Sequence, residues 1–216
     1  LHERLGREGT LPVEQALEII IEVADGLAHA HEHGVVHRDI KPGNILLSAG
    51  HARISDFGLA RALGAASTGD ATATGLAVGT PRYMSPEQAG AGEVDGRSDT
   101  YSLGCVLYEM LAGDQPFRGP TGESVARQHL TRDPDSITDL RPSVPEGVAS
   151  ALHRAMEKAP ADRFSTMEEF SEALGSASPT AEAGRPEPVA KERKAARHLA
   201  HRTKAWAVGA LVLSGI

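Results

Sequence analysis

Four side chains lie close enough in sequence to share one piece of chemistry. Asp39, Lys41 and Asn44 fall within six positions of the polar stretch His37-Arg38-Asp39-Ile40-Lys41-Pro42-Gly43-Asn44. Asp56 follows twelve residues after Asn44, in Asp56-Phe57-Gly58. A carboxylate can accept a proton from a hydroxyl, and an ammonium two residues on can reach a phosphate. An amide oxygen and a second carboxylate are the hard oxygen ligands that magnesium prefers. Together they suit a hydroxyl and a magnesium-bound triphosphate held in one place. Phosphoryl transfer asks little covalent work of a protein, only alignment and positive charge over the equatorial oxygens.

These residues and their spacing resemble the catalytic loop and metal-binding loop of eukaryotic-type protein kinases. Either triplet alone, His-Arg-Asp or Asp-Phe-Gly, would mean little. Both in order, with Lys41 and Asn44 in register, leave chance remote. The resemblance is to the eukaryotic-like (Hanks-type) bacterial transmembrane Ser/Thr kinases. It implies an α+β, mostly α fold: the C-terminal helical lobe of a kinase, with a small β-ribbon at the nucleotide floor. It implies Asp39 as the base, Lys41 and Asn44 as its catalytic partners, and Asn44 and Asp56 as ligands of Mg2+ (or Mn2+). It makes Lys41, Asn44, Leu46 and Asp56 the groups that contact ATP. A plain core role for Leu46 is the other reading.

The elements that must position these groups follow in order. Residues 1–9 read as a short helix and its stop. Pro12 opens a long helix, with Val13, Ala16, Leu17, Ile20, Ala24, Leu27, Ala28 and His31 on one face and Gly34 as its stop. His29, His31 and His33 stand at two-residue steps, which scatters them around a helix. With no cysteine and few carboxylates nearby, metal binding there is not expected. The resemblance places His37 beneath the metal-binding loop against Phe57. Ile45-Leu46-Leu47 and Ala52-Arg53-Ile54 flank a turn at Ala49-Gly50 and read as a hairpin.

Residues 59–84 are rich in Ala, Gly, Ser and Thr and have the composition of a loop. They resemble an activation segment closed by Gly79-Thr80 and Ser85-Pro86-Glu87. The resemblance makes Thr72 and Thr74 phosphorylation sites, and a phosphate there adds about −1.5 to −2 charge. Arg38 is then its partner. Thr80 is expected near Asp39 and Lys41, and with Lys41 it favours Ser/Thr over Tyr as substrate. Residues 99–111 run into a buried helix stopped at Gly113. Asp99 would either hold the backbone of the catalytic loop or cap that helix. Further helices are expected at 121–131, carrying Val125, Ala126, His129 and Leu130, and from Pro145, with Val148, Leu152, Ala155 and Met156 on its inner face. A last helix at 166–174 is expected to open on Ser165-Thr166-Met167-Glu168 as a capping box. The resemblance pairs Arg163 with Glu87; a surface arginine is the other reading. Gly58 belongs to the metal-binding loop.

The chain has 216 residues and a single cysteine, so no intrachain disulfide can form. The net charge is −7, with a basic tail from Arg185 on. An acidic globular part argues against nucleic acid as a partner. The domains expected are a kinase C-lobe at 1–175, a linker at 176–204 that turns basic, and the start of a transmembrane helix at 205–216. Basic residues, then Trp206, then an apolar run mark a cytoplasmic membrane entry, although about 20 residues are needed to span. A peripheral helix is the alternative. No Met opens the chain, and it stops within an apolar run, so a fragment cut at both ends is expected. No Gly-x-Gly-x-x-Gly precedes Asp39. The fragment alone would then be inactive, its parent a single-pass membrane kinase with the kinase part in the cytoplasm. Partners expected are protein substrates with Ser or Thr and a second copy of the chain for trans-autophosphorylation. A pseudokinase or scaffold is the rival reading, and a small-molecule kinase a third. Retention of Asp39, Lys41, Asn44 and Asp56 together disfavours the rival.

Overall fold

The structure, a computed structural model, describes residues 1–57 and 81–178. The fold is α+β and mostly helical, with one two-stranded sheet among the described residues. Helix α1 spans His2–Glu8, and α2 spans Val13–Glu32. The hairpin strands are β1, Ile45–Ser48, and β2, His51–Ile54. The remaining helices are α3 (Pro86–Ala89), α4 (Gly96–Ala112), α5 (Gly122–Thr131), α6 (Ile137–Leu140), α7 (Glu146–Ala155) and α8 (Met167–Ser176).

Helix α2 is the hub. Its apolar residues recur every three to four positions, and it packs against α8, α4 and β2. Ile19 and Val23 join the face expected from sequence, so the buried stripe is wider than the one read there. Pro12 precedes the first turn, and Gly34 follows the last with φ 73°. Helix α4 runs through the middle of the core. Tyr101, Leu103, Cys105, Val106, Leu107, Met110 and Leu111 are all fully buried. Burying one such aliphatic side chain contributes about 1.5–3 kcal/mol, so α4 is a rigid base for anything attached to it. Gly113 ends it in the left-handed conformation, φ 80°.

The hairpin is antiparallel, with Ile45 opposite Ile54 and Ser48 opposite His51. Ala49 and Gly50 both have positive φ, as a two-residue turn with the twist of the strands requires. Glu22 of α2 accepts a hydrogen bond from the Ala52 amide (2.6 Å), which fixes the ribbon to the hub.

Several expectations are corrected. In α5 the buried residues are Val125, Ala126 and His129, while Leu130 of the same helix is 40% exposed. The last helix starts at Met167 with Thr166 as its cap, whose hydroxyl accepts from the Glu169 amide. Glu169 reaches back to the Ser165 amide and not to that of the cap residue, so the expected capping box is replaced by a single hydroxyl cap with a neighbouring carboxylate contact. That helix runs to Ser176, past the expected boundary at 175. Among the described residues no helix is long and apolar enough to cross a membrane. The linker beyond 178 and the segment 205–216 lie outside the described residues.

Candidate active site

After Gly34 the chain leaves α2 and reaches His37 in extended form. What fixes it there is Asp99, in the first turn of α4 and fully buried. One carboxylate oxygen accepts the Arg38 amide at 2.8 Å. The other accepts the His37 amide at 2.8 Å and the Nε2–H of His31 at 2.8 Å. Asp99 is therefore not the helix cap; Asp95 is, accepting from the Arg97 amide at 2.9 Å. Hydrogen bonds to a charged acceptor are about twice as strong as neutral ones, and three of them offset the cost of burying this charge. Gly96 leaves room for the His31 ring, since a Cβ there would meet Nδ1 at 2.8 Å.

The carbonyl of Arg38 is held as well, accepting Nε2–H of Gln88 at 2.8 Å. Ser85 caps α3 and Gln88 closes the capping box, so this one helical turn both orders itself and grips the loop. Glu87 of the same turn faces Arg163. The pair is bidentate, with Nη1–Oε1 at 2.7 Å and Nη2–Oε2 at 2.8 Å, and both side chains are buried. Burial works against the ionised Glu87. Hydrogen bonds from Arg163 and Ser98 outweigh it and hold the carboxyl below the usual range. Tyr83 donates its hydroxyl to Glu109 of α4 at 2.6 Å, and its carbonyl accepts from Ser102 at 2.7 Å. Burial, more than the Glu109 contact, pushes the Tyr83 phenol up.

On this scaffold sit the chemical groups. Lys41 Nζ donates to Asp39 Oδ2 at 2.6 Å. The amide nitrogen of Asn44 donates to the Asp39 carbonyl at 2.8 Å and to Oδ2 at 3.0 Å. Asp39 Oδ1 takes no hydrogen bond from the described residues and is left to accept a proton. Both Asn44 donors are spent on Asp39, so its Oδ1 is left as an acceptor. The Asn44 carbonyl accepts the Ser55 amide at 2.9 Å, and the Ser55 hydroxyl donates to Asp56 Oδ2 at 3.1 Å. His37 spans the two loops. Its Nε2–H donates to the Ser55 carbonyl at 2.9 Å, and its Nδ1 accepts the Asp39 amide at 3.3 Å. This fixes a neutral tautomer, because a carbonyl can only accept. The ring packs on Phe57 at 4.8 Å between centroids.

Arg38 (φ 69°) and Asp56 (φ 63°) both adopt the left-handed backbone region, which costs a non-glycine residue about 1–3 kcal/mol. That conformation is maintained by the bonds just described. Asp39, Lys41, Asn44 and Asp56 thus belong to one connected polar network, linked through His37 and Ser55. The uncommitted oxygens of Asn44 and Asp56 are hard donors that fit a magnesium ion. Leu46 lies in β1, and at 53% exposure the plain core reading fails. Gly58, Thr72, Thr74 and Thr80 lie outside the described residues.

Sequence reasoning missed His31, Gln88, Tyr83 and Gly96. His31 was counted with an apolar face. A Ser-x-x-Gln signature at Ser85–Gln88 was present and could have flagged the capping turn.

Comparison with known proteins agrees with this geometry. Residues 1–174 match the family model described as the protein kinase domain. The chain is 41% identical over 171 residues to the serine/threonine-protein kinase PknB of Mycobacterium leprae, covering 79% of this chain and 27% of that protein. It is 42% identical over 172 residues to the protein of that name from Mycolicibacterium smegmatis, with the same coverage. The kinase domain of Mycobacterium tuberculosis PknI superposes with a TM-score of 0.60 at 30% identity, over 78% of this chain and 56% of that one. The chain therefore spans about a quarter of the length of the curated relatives it matches.

Proposed function

From the premise that this chain belongs to the protein kinase domain family, we propose that it transfers the γ-phosphate of ATP to Ser or Thr hydroxyls of protein substrates. The observation that carries this is the shared network of Asp39, Lys41, Asn44 and Asp56, with Asp39 Oδ1 left open. Asp39 accepts the proton of the substrate hydroxyl. Lys41, held 2.6 Å from Asp39, supplies positive charge beside the transferring phosphate. Asn44 and Asp56 would hold Mg2+ (or Mn2+), which when bound neutralises phosphate oxygens. Leu46, exposed on the ribbon, offers an apolar surface to the adenine.

These residues act as the helical lobe of the catalytic domain, and 56% coverage of the PknI kinase domain supports that division. The glycine-rich phosphate clamp would come from a second lobe. Thr72 and Thr74 are the regulatory phosphorylation sites, with Arg38 as their partner, and a second copy of the chain supplies them in trans. Residues 205–216 begin a membrane anchor that leaves the kinase part on the cytoplasmic side; the basic flank and Trp206 support it.

The test is Asp39→Asn in the full-length protein. Phosphate transfer to a Ser/Thr substrate is expected to fall about 10²–10⁴-fold, the usual contribution of a general base. Undiminished transfer would reject Asp39 as the base. Absence of transfer in the unaltered full-length protein, with ATP binding retained, would favour a pseudokinase.

A further inference from the structure

A second group of potential ligands stands at the exposed end of α2, apart from the loop network. Side-chain ligand atoms of His29, Glu32 and His33 all lie within 4.8 Å of one another. Scattering of the histidines holds for His31, which turns inward to Asp99. It fails for His29 and His33, which are four apart and share a face. Their ring centroids are 4.5 Å apart. Glu32 sits beside them, 3.9 Å from His29 Nδ1.

The His33 ring is held in place. Its Nδ1–H donates to the His29 carbonyl at 2.8 Å, because a carbonyl can only accept. The lone pair is then on Nε2. A backbone carbonyl on the second ring nitrogen is the contact that orients and tautomerically fixes a metal-bound imidazole. Two histidines four apart on a helix is also the spacing by which metallopeptidase helices present two zinc ligands, although the glutamate of that motif follows the first histidine directly and is not a ligand. Two imidazoles and one carboxylate suit Zn2+, Ni2+ or Cu2+ above magnesium, with water completing the sphere. Ligand atoms of a tetrahedral zinc site are about 3.3 Å apart at zinc–ligand distances of about 2.0–2.1 Å. With His33 held, rotation of the exposed His29 and Glu32 side chains is what would bring the ligand atoms from within 4.8 Å to that spacing.

We propose that His29, Glu32 and His33 form a surface site for one Zn2+-class divalent cation, clipping the last turn of α2. That turn leads through Gly34 into the Asp39 loop and contains His31, which holds Asp99. The site is independent of the kinase reading.

Calorimetric titration of the full chain with ZnCl2, in millimolar Mg2+ to occupy hard oxygen sites, tests this. One equivalent should bind, and Tm should rise with zinc. His29→Ala and His33→Ala should each lower the affinity about tenfold or more, and Glu32→Gln less. His198→Ala with His201→Ala, in the C-terminal tail, should leave it unchanged. All of these side chains apart from the tail pair are exposed, and alanine favours helix, so the fold should survive. Helical circular dichroism checks that. Failure to bind zinc, affinity unchanged from that of the unaltered chain in the single-histidine variants, or loss of binding in the tail variant would each overturn the proposal.

Discussion

Asp99 and Asp39 are the same side chain put to opposite uses. Asp99 is sealed in α4 with its oxygens committed to the His37 and Arg38 amides and to His31. Asp39 has a side chain 45% exposed, and one of its oxygens meets no described partner. The buried carboxylate spends its charge on shape. The open one keeps it free for the proposed proton transfer. Burial and donor count, not residue type, separate a scaffold acid from a reagent. Glu87 and Arg163 extend the first class, while Lys41 and Asp56 extend the second.

The contrast can be broken at the scaffold first. Arg163→Ala leaves Glu87 buried and uncompensated, and should lower unfolding free energy by about 3–5 kcal/mol in urea denaturation. Arg163→Met combined with Glu87→Met should cost less than the single change, because no lone charge remains. A loss in the double variant equal to or greater than in the single one would contradict that account.

A second scaffold effect is read by pH. His129 is fully buried. Desolvation, with the nearby Lys158 charge, pulls its pKa down to about 4. The unfolded chain takes up this proton near pH 6.5, the folded one only near pH 4. The contribution is present above pH 6.5 and lost as pH falls towards 4, by about 1.4 kcal/mol per unit. His129→Leu should flatten that slope. A slope that persists in the variant would assign it elsewhere.

Asp99→Asn is next, at about 1.5–3 kcal/mol, since all three donors lose a charged acceptor and at least one is left facing the new NH2 group. The proposed phosphoryl transfer should fall with it although Asp39 is untouched. Last is Asp39→Asn, with a stability change of about 1 kcal/mol or less, because its partner Lys41 is itself 42% exposed. Thermal denaturation of both variants side by side gives the comparison directly. A larger melting-temperature loss for Asp39→Asn than for Asp99→Asn would dissolve the distinction.

Local signals carried much of this in the sequence. The turn at Ala49-Gly50, the stop at Gly113 and the crowding of Asp39, Lys41 and Asn44 are all decided within a few residues. Long-range partners were not legible from spacing. Glu87 and Arg163, 76 residues apart, were paired through the family resemblance alone. His31 and Asp99, 68 apart, were not paired at all, because His31 falls among apolar helix positions. Helices α3 and α6 have four residues each, too short to show a period.

The left-handed backbone at Arg38 and Asp56 has an engineering corollary. Glycine is the residue that relaxes such a conformation without penalty. A library screened for heat resistance alone would thus be drawn toward glycine at these two positions, discarding a guanidinium and the carboxylate proposed to hold magnesium. Durability and catalysis pull this polypeptide toward different sequences, and the divergence is written in two torsion angles.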